Sequence, residues 1–387
     1  MTARRIVLTG GGTAGHINPA LATAEALVRL RPDVEVEFVG TADRLESRLV
    51  PQAGWPLHTV EAAPLRRSLS PTNLAIPLVL ARSCAKVRRL LRERNAVAAC
   101  TFGGYTSGPL ALGARLAGVP LVLHEQNAVP GLANRLAAPL AAAIAVSVEA
   151  AAPRFPRARR VEVTGNPVRG ALSPEKGVQQ RAEALAAFGL DPARRTLLVF
   201  GGSQGARRLN EAVLDAGGRW VQPERLQILH AAGADHHDRV SAAWRERDNG
   251  LLVRCVAYLD RMDLAYAAAD LVLSRAGAST VAELTLVGRA AVLVPLPHAV
   301  ADEQTANAGA LVAAGAAVLV RDGDLDGAAL VAAAEPLLAD ADRLSTMGQA
   351  AGRLGVPDAA DRLALLILDV ARASQGGVPQ DGPCDER

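Results

Sequence analysis

Two glycine-rich stretches, each running from an apolar segment into a helix-like pattern, contain residue types that bind phosphate groups. The first, "RRIVLTGGGTAGHINPAL", contains Gly10-x-Gly12-x-x-Gly15, and the second, "LLVFGGSQGARRLN", surrounds Ser203 with glycines. Glycines let backbone amides approach a phosphate closely, and the N-terminus of the following helix adds a favourable partial charge. Two such loops, about half a chain apart, predict phosphate binding in both halves of the chain.

His16 follows the first loop directly, at the expected start of a helix. Imidazole titrates near neutral pH, so a histidine beside a phosphate-binding turn is well placed as a general base. A capping or merely exposed histidine is the alternative. The loop also fits a nicotinamide dinucleotide fingerprint, but the second strand ends in "FVGTA" and the first acid after it is Asp43. The missing ribose-binding acid argues against a nicotinamide-dependent oxidoreductase.

Two further polar segments follow predicted strands in the first half. "FGGYTSGP", from Phe102 to Pro109, could complete an anion site with its amides and hydroxyls, although a tight turn before a helix capped by Ser107 is the alternative. "HEQNAVPG" begins with four polar residues, His124 to Asn127, at the carboxyl end of a strand. Loops at that edge carry the chemistry in α/β folds, which favours a functional role for this run.

The second half contains two segments suited to a sugar nucleotide. In "SRAGASTVAEL", Glu283 lies one or two turns into a helix, where a carboxylate can accept two hydrogen bonds from ribose hydroxyls. An ordinary exposed helix residue is the alternative. "LPHAVADEQTANAGAL" presents four amide and carboxylate side chains between Asp302 and Asn307, which suit a hydroxyl-rich ligand such as a sugar. Helix capping by Asp302 is the alternative there.

Short apolar runs alternate with longer helical patterns in both halves, which is typical of parallel sheets covered by helices. We therefore predict an α/β fold with two Rossmann-like doubly wound domains that face each other across a cleft. The N-terminal domain is expected over 1–165 and the C-terminal domain over 166–352, with a linker near Gly165 to Gly177. A helix over 356–372 is expected to pack back on the first domain, before a disordered tail over 373–387.

The net charge of +3 conceals an asymmetry between the halves. Residues 1–170 hold 21 Arg and Lys against 11 Asp and Glu, a net +10, whereas residues 171–387 hold 21 against 28, a net −7. A basic half predicts an anionic partner. Aromatic residues make up only 3% of the chain, so stacking platforms for nucleic acid are scarce and a membrane surface or a phosphorylated substrate is favoured. A solvated arginine-rich surface is the alternative.

The segment from Asn73 to Asn95 combines an apolar first part with six Arg and Lys between Arg82 and Arg94. A membrane-surface helix has this composition, and an amphipathic crossover helix packed on its own sheet is the alternative.

The four cysteines form no CxxC pair, so neither a disulfide framework nor a metal site is predicted. No apolar run reaches the roughly 18 residues of a membrane span, and a cytoplasmic location is expected.

Seven motifs, in this order and spacing, resemble those of the UDP-N-acetylglucosamine:N-acetylmuramyl-(pentapeptide)-pyrophosphoryl-undecaprenol N-acetylglucosaminyltransferase family. They are "GGGTAGH", "TFGGYTSGP", "HEQNAVPG", "TGNPVR", "FGGSQGARRLN", "SRAGASTVAE" and "DEQTANA". The resemblance covers the chain from Arg4 to about Arg372 and implies a GT-B fold with inverting transfer at the cytoplasmic face of the cell membrane. Such enzymes move N-acetylglucosamine (GlcNAc) from UDP-GlcNAc to the C4 hydroxyl of the muramyl residue of lipid I, giving lipid II for peptidoglycan. Both substrates are diphosphates, which would account for two phosphate-type loops.

The resemblance also implies roles for individual residues. Donor contacts are implied for Arg169, Ser203, Leu259, Ala278, Ser279, Thr280, Val281, Ala282, Glu283 and Gln304, with Glu283 on the ribose and the Leu259 backbone at the uracil. Contacts from the first domain to the donor sugar are implied for Thr13, Ala14, Gly15 and Asn127. Contacts to the acceptor diphosphate are implied for Gly12, Gly103, Gly104 and Tyr105. His16 is implied as the general base, with Glu125 as a less favoured substitute.

Three positions depart from the family pattern: Ala14 and Thr101 stand where glycine is frequent, and Glu303 where histidine is frequent.

No cofactor and no metal are expected. The expected partners are UDP-GlcNAc, lipid I, an anionic membrane surface and a wall-synthesis or division complex, without nucleic acid. The alternatives are a related GT-B enzyme with another lipid acceptor, a UDP-sugar epimerase, and a catalytically silent sugar-nucleotide-binding module.

Overall fold

A computed structural model of the chain describes residues 4–61, 76–170, 172, 174–202, 205–297 and 302–374. It divides into two compact units. The first comprises Met1–Gln126, Pro130–Pro167 and Asp358–Arg387, and the second comprises Asn127–Val129 and Val168–Pro357. Three parts of the predictions lie outside the described residues: Ser203, residues 73–75 of the predicted membrane segment, and residues 375–387 of the predicted tail.

The first unit is built on seven parallel strands. They are β1 (Arg4–Thr9), β2 (Val34–Gly40), β3 (Leu57–Thr59), β4 (Ala96–Thr101), β5 (Leu121–Glu125), β6 (Ala143–Val146) and β7 (Val161–Val163). Their order across the sheet is β3-β2-β1-β4-β5-β6-β7. The helices are α1 (Ala14–Leu30), α2 (Glu46–Gln52), α3 (Ile76–Glu93), α4 (Ser107–Ala117), α5 (Leu132–Ala137) and, from the far end of the chain, α14 (Ala359–Ser374).

Successive residues of the central strands serve opposite faces of this sheet. On β1, Ile6 and Leu8 enter one apolar core, whereas Val7 enters the core on the other face. This two-sided burial explains why the strand is continuously apolar rather than alternating. α14 closes the first of these cores by packing against α1, and Arg160 Nη1 donates to Asp369 on its outer side at 2.5 Å.

The second unit repeats the plan with six parallel strands. They are β8 (Arg195–Phe200), β9 (Leu226–Ala231), β10 (Leu252–Val256), β11 (Leu271–Ser274), β12 (Ala290–Leu293) and β13 (Ala317–Leu319), in the order β10-β9-β8-β11-β12-β13. The helices are α6 (Pro174–Phe188), α7 (Arg207–Ala216), α8 (His237–Arg245), α9 (Met262–Ala268), α10 (Ala278–Val287), α11 (Glu303–Ala313), α12 (Gly327–Leu338) and α13 (Ala341–Gly352).

Both sheets are doubly wound, because the strand order reverses beside the first strand of each unit and apolar cores cover both faces. This confirms the predicted α/β class with two Rossmann-like parallel sheets. The cleft predicted between the two domains stays a prediction.

The packing of α14 gives a stability test with a matched control in the same helix. Leu363 is 0% exposed and Leu365 is 55% exposed. We expect Leu363→Ala to lower the free energy of unfolding of the first unit by about 2–5 kcal/mol, because it removes buried methyl groups and leaves a cavity. Leu365→Ala should change it by no more than about 0.5 kcal/mol. Urea denaturation of both variants measures the difference, and equal effects would contradict the packing described for this helix.

Candidate active site

The two glycine loops of the first unit, which follow β1 and β4, touch through their backbones. A Cβ at Gly104 would overlap the carbonyl oxygen of Gly11, and Gly104 has a φ of +86°, which disfavours any residue with a side chain. Gly103 lies against the imidazole of His16, where a Cβ would come within 3.1 Å of Nε2. The structure therefore brings together residues that the sequence predicted for one site.

His16 is half-buried on the first turn of α1. Its Nδ1 lies 3.1 Å from the carbonyl oxygen of Gly11 and 3.2 Å from Oγ1 of Thr13. A carbonyl oxygen can only accept, so Nδ1 carries the proton and Nε2 keeps its lone pair. Burial lowers the pKa of His16, while the Gly11 hydrogen bond and the charge of Glu46 oppose that change. The ring is therefore neutral at neutral pH, in the tautomer that a base at Nε2 requires.

Sequence reasoning missed Glu46, a buried carboxylate on the first turn of α2. Its Oε2 accepts from the backbone amide of Gly12 at 3.1 Å. Its Oε1 accepts from the amide of Thr41 at 3.1 Å and from the Thr41 hydroxyl at 2.8 Å. The amide of Gly12, predicted to face a diphosphate, is thus occupied by a carboxylate of the same chain.

Hydroxyl groups fix the second glycine loop. Thr9 Oγ1 donates to the Val39 carbonyl at 2.7 Å, so Thr106 Oγ1, 2.5 Å away, must be the donor to Thr9. Thr101 Oγ1 donates to Ser107 Oγ at 2.5 Å. It also accepts from the backbone amide of Gly103, in the same loop, at 3.4 Å. Thr101, which replaces a frequent glycine, therefore helps to hold the loop.

Tyr105 completes the first unit's cluster of predicted residues. Its ring lies beside Gly12, where a Cβ would come within 3.3 Å of Cε2, and its side chain is exposed. The phenol hydroxyl is therefore accessible to a ligand that sits over the first glycine loop. Thr13 at the helix start is also exposed, and Ala14 and Gly15 are half-buried.

His124 and Gln126 have structural partners rather than open ligand-binding groups. His124 Nε2 donates to the carbonyl of Gly165 at 3.1 Å, and its Nδ1 accepts from Gln126 Nε2 at 3.2 Å. Gln126 Nε2 also donates to the Phe102 carbonyl at 2.8 Å. Burial lowers the pKa of His124 to about 4, so the ring stays neutral. These two residues tie the end of β5 to the second glycine loop.

Glu125, the predicted substitute base, is buried and bound to the loop that follows it. Its Oε2 accepts from the Gly131 amide at 3.1 Å and from Asn134 Nδ2 at 2.8 Å. Its backbone carbonyl accepts from Ser147 through the amide and the hydroxyl. The carboxylate therefore shapes the turn before α5, which favours His16 over Glu125 as the base.

In the second unit, Asn307 on α11 binds the segment Asn127–Val129. Its Oδ1 accepts from the Ala128 amide at 2.9 Å, and its Nδ2 lies 3.1 Å from Oδ1 of Asn127 and 3.2 Å from the Ala276 carbonyl. The sequence suggested Asn307 as a sugar-binding residue. In the structure Asn307 holds Asn127, the residue that the resemblance assigns to the donor sugar, and its own role at the sugar stays a prediction.

Gly205, in the glycine-rich segment after β8, packs on the residue that follows β9. A Cβ at Gly205 would overlap the carbonyl oxygen of Ala232, which also accepts from Asn210 Nδ2 at 2.9 Å. A buried chain supports Asn210: Trp244 Nε1 donates to His230 Nδ1 at 3.1 Å, and His230 Nε2 donates to Asn210 Oδ1 at 2.9 Å. Nothing in the local sequence pattern indicated this chain.

The N-terminus of α10 presents groups suited to an anionic ligand. Gly277 precedes the helix with open space around its Cα, and the first amides of a helix have no partners within it. Three buried polar atoms beside it, Ser274 Oγ, Arg275 Nε and Ser279 Oγ, have no hydrogen-bond partner among the described residues. Unpaired buried polar atoms cost free energy, so a ligand rich in acceptor oxygens would suit this arrangement.

Glu283, one turn further into α10, is held by Tyr266. The Tyr266 hydroxyl donates to Glu283 Oε2 at 2.7 Å. Burial raises the pKa of Glu283 to about 7, and the Tyr266 hydrogen bond only partly opposes that rise. A partly buried carboxylate with a raised pKa is stabilised in its ionised form by a ligand that supplies hydroxyl groups.

Gln304 is oriented by two backbone amides. Its Oε1 accepts from Ala276 at 3.2 Å and from Leu296 at 2.9 Å. Because both bonds use the carbonyl oxygen, the side-chain amino group is the part of Gln304 that can donate to a ligand. Leu259 is buried in the apolar core, and Arg169 is exposed.

Within the described residues, no group of three or more His, Cys, Asp or Glu side chains is placed to hold a metal ion. Within the same part of the chain, none of the helices combines the length and apolar character needed to cross a membrane.

Two family models match most of the chain. Residues 6–146 match the glycosyltransferase family 28 N-terminal domain, and residues 196–363 match the glycosyltransferase family 28 C-terminal domain.

Individual proteins agree with this assignment. A relative from Nocardioides sp. named UDP-N-acetylglucosamine--N-acetylmuramyl-(pentapeptide) pyrophosphoryl-undecaprenol N-acetylglucosamine transferase is 46% identical over 96% of this chain and 99% of its own. The crystal structure of MurG from Acinetobacter baumannii superposes with a TM-score of 0.73 at 28% identity, over 95% of this chain and 99% of that one. A UDP-N-acetylglucosamine 2-epimerase shares the fold, with a TM-score of 0.66 at 15% identity over 99% of both chains.

The raised pKa of Glu283 predicts a pH-dependent stability. Because the folded pKa lies above the usual value of 4.5, Glu283 stabilises the fold most at low pH, and that contribution is lost as the pH rises through about 7. Glu283→Gln, which can still accept from Tyr266, should therefore melt at a higher temperature than the unsubstituted protein at pH 8 and lose this advantage toward pH 5. Thermal melts across this range test it, with Glu246→Gln at an exposed carboxylate as the control. A difference that does not vary with pH would contradict the prediction.

Proposed function

The chain belongs to glycosyltransferase family 28, and on this premise we propose that it transfers GlcNAc from UDP-GlcNAc to the C4 hydroxyl of the muramyl residue of lipid I, giving lipid II. The observation that carries the proposal is the start of α10, where buried hydroxyls without a partner among the described residues and a carboxylate of raised pKa lie close together in the sequence. The relative with 46% identity is named for this reaction.

The second unit supplies the donor site in this proposal. The amides at the start of α10, with Ser279 and Thr280, bind the diphosphate of UDP-GlcNAc. Glu283 accepts hydrogen bonds from the two ribose hydroxyls, and these bonds stabilise its ionised form. The amino group of Gln304 binds the donor sugar, and the backbone of Leu259 meets the uracil.

The same groups lower the barrier to departure of UDP. Negative charge grows on the diphosphate as the glycosidic bond breaks, and helix amides already aimed at it stabilise that charge without reorganising. Arg169 and the loop at Ser203 are proposed to add to this effect. Binding both substrates in fixed positions supplies a further part of the rate acceleration.

The first unit supplies the base. His16 holds its proton on Nδ1 through the Gly11 carbonyl, so Nε2 has the lone pair that accepts the proton of the C4 hydroxyl. The absence of a side chain at Gly103 leaves room at Nε2. Tyr105 and Gly104 border the acceptor, whereas the Gly12 amide is engaged by Glu46 and is not proposed as a phosphate ligand.

The helices α3, α4 and α5 are proposed to contact the membrane that holds the lipid acceptor. α4 packs against both of its neighbours, and these three helices carry exposed leucines at 78, 112, 116, 132 and 136. Arg82, Lys86 and Arg88 on α3 are exposed as well. Apolar side chains flanked by basic ones suit an anionic lipid surface.

The transferase proposal is tested by release of UDP from UDP-GlcNAc with and without a short-chain lipid I analogue, with UDP-glucose as the control donor. We expect release to require the acceptor and to prefer UDP-GlcNAc. His16→Ala should lower kcat by about 10²–10⁴-fold while donor binding persists, because it removes the base. Release without the acceptor would instead indicate an epimerase-type reaction, and donor binding without any release would indicate another lipid acceptor or a silent module.

The membrane proposal is tested by binding to anionic vesicles. Arg89 is paired with Glu93 at 2.6 Å and Arg92 donates to the Leu116 carbonyl at 3.3 Å, so we choose Arg82, Lys86 and Arg88 for substitution by Gln. Each basic residue near an anionic surface contributes about 1 kcal/mol, so the triple variant should bind roughly 100-fold more weakly at low salt.

A triple variant with the same change of charge, at the exposed Arg239, Arg245 and Arg343 of the second unit, serves as the control. Equal losses in both triple variants would mean that overall charge, rather than this surface, governs vesicle binding.

A further inference from the structure

One peptide group joins a buried carboxylate to the proposed base. The amide of Gly12 donates to Glu46 Oε2 at 3.1 Å, and the carbonyl of Gly11 accepts from His16 Nδ1 at 3.1 Å. These two groups belong to the same Gly11–Gly12 peptide bond. Carboxylate, peptide and imidazole therefore form one chain of hydrogen bonds that ends at Nε2.

We propose that Glu46 is a positioning residue for His16, acting through the Gly11–Gly12 peptide to fix the orientation of the ring and the tautomer that leaves Nε2 free to accept a proton. This inference rests on the proposed function, since it assigns a partner to the proposed base. Glu46 does not touch substrate in it.

The physical basis is polarisation along the chain. A carboxylate that accepts from an amide N–H increases the negative charge on the carbonyl oxygen of the same peptide group, and hydrogen bonds in series strengthen one another. That carbonyl then binds Nδ1–H of His16 more strongly. Carboxylates that bind the far nitrogen of a catalytic imidazole act in the same way, by fixing the tautomer and stabilising the imidazolium that forms.

Burial and hydrogen bonds hold Glu46 in this position. Glu46 is 2% exposed and accepts three hydrogen bonds, two of them from Thr41, the residue that follows β2. Small residues make room for it: a Cβ at Gly40 would come within 2.7 Å of its Cγ, and one at Gly11 within 3.3 Å of its Oε1. A buried charge held by three donors keeps its position when the ligand site is empty.

Within the described residues, titratable side chains lie on three segments around the two glycine loops. Glu46 lies on α2, Tyr105 on the second glycine loop, and Glu125 on β5, where it is bound by Asn134. Of these, Glu46 is the group whose charge raises the pKa of His16 against the effect of burial. Removing that charge should therefore make the ring a weaker base.

The test compares three variants. Glu46→Gln keeps the size of the side chain and removes its charge, Glu46→Asp keeps the charge, and Thr41→Val removes one hydrogen bond to Glu46 while leaving its carboxylate in place. Histidine NMR of the full-length protein, assigned by the signal missing in His16→Ala, gives the tautomer and titration of His16 without any substrate. Kinetics with UDP-GlcNAc and a lipid I analogue give kcat, the KM for the donor and the pH profile.

We expect Glu46→Gln to move the titration of His16 and the acidic limb of kcat to lower pH, and to lower kcat at least about tenfold with little change in the donor KM. Thr41→Val should leave the His16 titration and the acidic limb of kcat at the pH values of the unsubstituted protein. Glu46→Asp keeps the charge, so it should keep part of the normal His16 titration even if Glu46→Gln folds poorly. An unchanged His16 tautomer and titration in Glu46→Gln would overturn the proposal, as would an equal shift in Thr41→Val. If the unsubstituted protein shows no transfer at all, the proposed function fails, while the NMR titration still decides whether Glu46 acts on His16.

Discussion

Parallel strand pairing is the constraint on which both units depend, because it places the carboxyl ends of neighbouring strands side by side. In the first sheet Thr9 at the end of β1 pairs with Thr101 at the end of β4, so the two glycine loops begin next to each other. In the second sheet Phe200 at the end of β8 pairs with Ser274 at the end of β11, so the segments that follow these two strands begin side by side. Topology thus decides which loops meet, and glycine then decides how closely they approach.

The fold and the location of the site could be predicted from sequence because both depend on local patterns. Apolar runs followed by glycine turns marked the ends of β1, β4, β8 and β11, and in a parallel sheet these ends share one edge. The motif around Glu283 likewise predicts a carboxylate one or two turns into a helix, and Glu283 is the sixth residue of α10. Sequence could not supply the raised pKa of Glu283, because that value comes from burial against residues distant in the chain.

The hydrogen-bond partners of single side chains cannot be predicted from sequence for the same reason. The polarity of the "HEQN" run indicates a function. In the structure, however, His124 and Gln126 donate to the backbone carbonyls of Gly165 and Phe102, which lie 41 and 24 residues away. Polarity at a strand end does not distinguish a ligand-binding group from one that satisfies buried backbone. Asn307 shows the same ambiguity in the second unit, where its partners lie up to 180 residues away.

Glu46 explains why a phosphate-type motif is weak evidence for a phosphate. Asp43 is the first acid after β2 in the sequence, whereas the carboxylate that reaches the glycine loop, Glu46, comes three residues later and lies 34 residues from Gly12. A glycine loop offers amide donors, and either a ligand or the chain itself can satisfy them. Once a buried carboxylate occupies one donor, a second negative charge at the same amide would meet repulsion at low dielectric, so a phosphate there is disfavoured. At α10 the helix amides lie beside buried hydroxyls that still lack partners among the described residues. The first glycine loop and the N-terminus of α10 therefore differ in which backbone donors already have a partner within the chain. That difference cannot be predicted from the glycine pattern.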